Sequence, residues 1–121
     1  MKNLFKSTVL SAISLICLTS CKLTTPSIEK ETRVLKEAGY ALTVVSGSEL
    51  DTEDKDTPVY LVSGIEDCLY AKQNSEEIYL LYFPTAERAR NAVIPSHKYQ
   101  QGRINELIYI GTKQAIKDAK L

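Results

Sequence analysis

Cys68, His97 and a set of tyrosines are the residues of this chain whose side chains could do chemistry. Cys68 stands in an apolar strand-like stretch, where a single cysteine is most often a small packed side chain and less often a reactive thiol. His97 is the only histidine and has Lys98 beside it. One histidine without a partner motif makes neither a usual zinc site nor a general base. No Cys-x-x-Cys, Gly-rich phosphate loop, Gly-x-Ser-x-Gly elbow or His-Glu-x-x-His occurs, so no catalytic residue is assigned and no cofactor is implied. Ser46 to Asp56 carries five acids, Glu49, Asp51, Glu53, Asp54 and Asp56. That run lacks the order of an EF-hand loop and has Lys55 inside it, which makes it a solvated loop rather than a metal site. Gly111-Thr112 before a helix could offer free N–H groups to an anion, but an ordinary strand-to-helix turn with Thr112 as cap explains it as well.

The tyrosines carry more. There are seven Tyr against two Phe. Tyr70, Tyr79 and Tyr109 fall in expected strands. Sharing one open sheet face, they would make a flat amphipathic patch of the kind enriched at binding surfaces. The plainer alternative is three half-buried sheet residues with their hydroxyls in water.

The elements that position these residues follow from patterning. Thr25-Pro26 reads as a cap and first turn, and Ile28, Thr32, Leu35 and Ala38 form a helical stripe. A helix is expected over 26–38, closed by Gly39. Strands are expected over 40–45, 66–72, 77–83 and 106–110, with Gln73-Asn74-Ser75-Glu76 as a hairpin turn. Thr57-Pro58 repeats the cap signature, and residues 57–63 lean towards a short helix, with a strand the alternative that would make the fold a more general α+β sheet. Pro84-Thr85 opens a further helix with an Ala86, Ala89, Val93 stripe, stopped by Pro95. Ser96 to Gly102 reads as a polar connection. A last helix over 113–119 turns Ala115, Ile116 and Ala119 inward. Without the two outer helices the order is β–α–β–β–α–β. The fold class expected is α+β, a ferredoxin-like βαββαβ antiparallel sheet with additional N- and C-terminal helices.

The N-terminus sets the address. Met1 to Lys6 holds Lys2 and Lys6 and no acid, and Ser7 to Leu18 is mainly apolar. A basic n-region before an apolar run of about 12 residues is a secretory leader, too short to span a bilayer. Leu18-Thr19-Ser20-Cys21 then resembles the lipobox of bacterial lipoproteins: an aliphatic residue, two small ones and a cysteine. Thr19 is a less usual choice than Ala. The resemblance covers residues 1–21 only. It implies cleavage of residues 1–20, a lipid on Cys21, a short tether over 21–25 and one α+β domain over 26–121. Two acyl chains would hold the protein on the membrane without a protein span. In Gram-negative species an aspartate after the cysteine signals retention at the inner membrane, so Lys22 points to the outer membrane where the envelope has one.

This processing bounds the rest. Removal of residues 1–20 from 121 leaves 101, enough for one small domain. Lys2 and Lys6 leave with the leader, so 13 of 15 basic residues face 15 acidic ones. That is no footprint for nucleic acid. Cys17 is lost and Cys21 lipidated, which leaves Cys68 alone and excludes an intramolecular disulfide. Lys22 to Thr24 reaches only about 10 Å, so the domain would sit close to the lipid. The expectation is a non-enzymatic envelope protein that contacts a protein partner or the membrane surface. A small-molecule binding module, or an enzyme of unrecognised type, is the alternative.

Overall fold

The computed structural model describes residues 24–121. The leader and Cys21 lie outside the described residues. The domain is α+β, with a five-stranded antiparallel sheet and three helices. In chain order the elements are α1 Ile28–Glu37, β1 Ala41–Ser46, β2 Asp67–Gln73, β3 Glu76–Tyr82, α2 Ala86–Asn91, β4 Gln100–Ile104, β5 Leu107–Gly111 and α3 Lys113–Asp118. Across the sheet the order is β1-β2-β3-β5-β4.

This is not the ferredoxin-like order expected. That plan needs a helical crossover between the first two strands. Residues 57–63 form turns instead, with Leu61 at φ 60 and its N–H donating to the Thr52 carbonyl at 2.8 Å. Without the crossover, β1 lies beside β2 as its antiparallel neighbour. The polar connection expected over 96–102 also fails in part. Residues 100–104 form β4, joined to β5 by the two-residue turn Asn105-Glu106, with Asn105 at φ 51. Asparagine tolerates the left-handed backbone such a turn requires. The same device closes β2 and β3, with Asn74 at φ 56.

Strand alternation divides the core into two layers. One face carries Leu69, Ala71, Ile78, Leu80, Tyr82 and Leu107 and is covered by α1 and α3. The other carries Cys68, Leu81, Ile108 and Ile110, and is covered by Val59, Val62, Phe83 and Ala89. The turns of 57–63 thus serve as a flap. Gly47 hinges it: its N–H donates to the Glu66 carbonyl at 2.7 Å, and a Cβ there would lie 1.6 Å from the Ile65 carbonyl oxygen.

The helix starts shift from expectation. Ser27, not Thr25, caps α1, accepting from Lys30 N–H at 3.1 Å. Thr25 instead donates to the Glu106 carboxylate and holds it below the ordinary carboxylate range. The Tyr82 hydroxyl donates to the Pro26 carbonyl at 2.9 Å. Ala38 is exposed, and the third inward residue of α1 is Glu31, only 1% exposed beside Ile28 and Leu35. Its Oε1 has no hydrogen-bond partner, and burial pushes its carboxyl up to about 7 against the opposing pull of Lys30. In α2, Thr85 is the cap and Ala89 the buried residue, as expected, but Val93 is 82% exposed. The helix ends at Asn91, and Arg103 of β4 donates to the carbonyls of Arg90 at 2.6 Å and Ala92 at 3.1 Å. Those bonds satisfy the helix end before Pro95 is reached. No helix among the described residues is long and apolar enough to cross a membrane.

Candidate functional site

β2 and β3 pair so that Tyr70 lies directly opposite Tyr79. Their rings meet at 4.7 Å between centroids, tilted by 42°. Glu77 is two residues before Tyr79 and so on the same face. The Tyr70 hydroxyl donates to Glu77 Oε1 at 2.8 Å. Tyr99, in the connection before β4, donates to Oε2 at 2.7 Å. Both carboxylate oxygens are therefore engaged by phenols. Desolvation, then the bond to Glu77, pushes the Tyr70 and Tyr99 hydroxyls well above the ordinary phenol range. Tyr79 rises to about 12, through burial first and the Glu77 charge second. All three phenols stay protonated, and so remain donors, at any physiological pH.

Tyr99 is held by its neighbours. Its backbone N–H donates to His97 Nδ1 at 3.1 Å, which leaves the ring proton on Nε2 to donate to Gln101 Oε1 at 2.8 Å. Lys98 Nζ sits 5.4 Å from the Tyr99 ring centre, within cation–π range. A shallow depression of about 320 Å³ lies alongside, lined by Ser75, Glu77, Lys98, Tyr99, Thr112 and Lys113.

Of the three tyrosines expected on one face, the structure brings Tyr70 and Tyr79 together and sends Tyr109 to the other side. Tyr109 faces Leu80 and Gly102 across the sheet, and its ring fills the space over Gly102 where a side chain would stand. Tyr99 and Glu77 complete the cluster, and sequence reasoning missed both as site residues. The usable signal was the Asn105-Glu106 turn, which makes the preceding residues a strand and brings Tyr99 alongside the sheet.

Cys68 faces Val45 and Leu81 in the second core layer and is buried. Burial pushes its thiol up to about 12. Its modification by a thiol reagent at pH 8 should follow global unfolding, with reactivity rising in urea along the same curve as the circular dichroism. Rapid labelling of the native protein would contradict this packing. In the acidic segment, Asp51 and Asp54 accept backbone N–H bonds from Glu53 and Asp56, each at 2.9 Å. Among the described residues no three His, Cys, Asp or Glu side chains converge as metal ligands. The Thr112 hydroxyl accepts from Ala115 N–H as the cap of α3. No family model matches the chain, and neither a characterised protein nor a solved structure matches it.

Proposed function

We propose that this chain is a bacterial lipoprotein, held on the membrane by lipid on Cys21, whose domain binds an envelope partner and catalyses no reaction of its own. An extracytoplasmic place on the cell membrane, the outer one if the envelope is Gram-negative, belongs to the same reading. The leader and Leu18-Thr19-Ser20-Cys21 support the anchor. The engagement of both Glu77 oxygens by Tyr70 and Tyr99 carries the binding role. Two bonds to one carboxylate lock the orientations of the Tyr70 and Tyr99 rings. Locked aromatic rings lose little conformational freedom on binding and suit a protein contact.

The test uses the intact lipoprotein. Mass spectrometry should find a diacylglyceryl group on Cys21, and Cys21→Ser should move the protein to the soluble fraction. Cross-linking followed by affinity recovery should yield a specific partner, and Tyr79→Ala should reduce its yield by about tenfold, the cost of a hot-spot side chain. A recovery no different from that of an unrelated lipoprotein would overturn the binding role. An unmodified Cys21 would overturn the anchor.

One observation favours a second reading. The depression beside Glu77 has Lys98 and Lys113 in its lining and could take a small anionic molecule. Binding of a small ligand that Lys98→Ala abolishes, with no protein partner recovered, would select it.

A further inference from the structure

The two edges of the sheet are built differently. β4 is polar and charged, and its Arg103 is committed to α2. β1 reads Ala-Leu-Thr-Val-Val-Ser, with no charge and no proline, and it pairs with β2 residue for residue without a bulge. Natural edges usually carry one of those protections, because an unprotected edge templates another strand.

The free side of β1 can be assigned. The Gly47 N–H bonds to the Glu66 carbonyl, and strand partners alternate. Ala41, Thr43 and Val45 therefore turn their backbone groups to β2. Leu42, Val44 and Ser46 turn theirs outward. Among the described residues, the bonds outside the ladders use only the Ser46 carbonyl, which accepts from Glu49 N–H at 3.0 Å. Val44 is 52% exposed, a large apolar side chain at the middle of this edge.

We propose that β1 pairs antiparallel with β1 of a second copy of this chain, about a two-fold axis at Val44, joining two sheets into one. This register sets Val44 against Val44, Thr43 against Val45 and Leu42 against Ser46, with β-branched and uncharged side chains across the seam. It pairs every outward N–H and C=O. Charge agrees with the direction. The C-terminal end of β1 runs into Glu49 and Asp51. The N-terminal end is mixed, with Lys36 and Lys72 standing near Glu37 and Glu76. Antiparallel pairing keeps the two acidic ends apart and brings each within reach of Lys36 and Lys72 of the other copy. The axis stands perpendicular to the sheet. Both N-terminal segments then emerge on the α1 side, and the two tyrosine clusters share the opposite face.

The test uses the full processed chain in detergent. Sedimentation should give a protein mass of two copies. Val44→Lys should weaken the dimer by at least about tenfold, as a charge desolvated at a seam does. A thermal melt shows that the variant stays folded. A short bis-maleimide should join two copies of Val44→Cys but not two copies of Val93→Cys, whose position is more exposed and off the edge. The unsubstituted chain controls for the native cysteines. A wild-type monomer at about 100 µM, well above the Kd expected of a specific dimer, would overturn the proposal. A dimer indifferent to Val44→Lys, or equal cross-linking at Val93, would also do so.

Discussion

Gly47→Ala should lower the melting temperature by roughly 10 °C, from a loss of about 2–3 kcal/mol. The new Cβ would overlap the Ile65 carbonyl oxygen, and that atom is backbone at the far end of the flap. It cannot rotate aside as a flexible side chain can. The chain must part Gly47 from Glu66, and with that bond goes the closure of the 47–65 segment. Val59 and Val62 lose their seat over Cys68 and Leu81. A second readout follows: Cys68 should become reactive under conditions where the wild type is inert. Gly64→Ala is the contrasting variant. Its φ is +85, but the nearest atom to a Cβ is Phe83 Cδ2 at 3.9 Å, so only the backbone penalty of about 1 kcal/mol applies. Equal melting of the two variants would contradict the hinge assigned to Gly47.

Glu31→Leu should stabilise the domain by about 2 kcal/mol at pH 8 and by clearly less near pH 4.5. The carboxyl is buried in the α1–sheet interface with one oxygen unpartnered, and its folded pKa is raised from 4.5 to about 7. A raised folded pKa means that the native state holds the proton more tightly than the unfolded chain. Its contribution is fully present below pH 4.5 and is lost as pH rises through about 7. Leucine removes the titration and fills a site already lined by Ile28 and Leu35. Glu31→Gln should flatten the pH dependence too, with a smaller gain because an amide is still unpaired. Urea midpoints measured from pH 4.5 to pH 8 decide the matter. A wild-type-to-leucine difference independent of pH would mean that Glu31 finds a partner on ionisation.

Local pattern made much of the fold legible. The strands around Asn74-Ser75 show their alternation and their turn in the residues themselves, and α3 shows its cap and its inward alanines. What escaped notice obeys tertiary rules. β4 carries Gln-Gln-Gly-Arg, because an edge strand left largely open to water needs no apolar face. Val59 and Val62 look helical by hydrophobicity, yet they serve a flap of turns. Glu31 breaks the apolar stripe of α1 from within, and no periodicity argument places a carboxyl there. In the site, Tyr70 and Tyr79 follow from a single hairpin and were readable. Tyr109 was not. Its face depends on the β3–β5 register, which pairs Tyr79 with Ile110, and a slip of one residue would have reversed it.

The pinned start of the chain has a mechanical meaning. Thr25 and Pro26 are tied to Glu106 and to Tyr82, at the end of β3. Tension applied through the N-terminal segment therefore meets two side-chain bonds before it meets any helix. When these yield, the next element in line is α1, not a strand. Its 10 residues span about 15 Å as helix and about 34 Å when drawn out. A protein held by its first residues would thus pay out nearly 20 Å of extra line under load, with every rung of the sheet still in place.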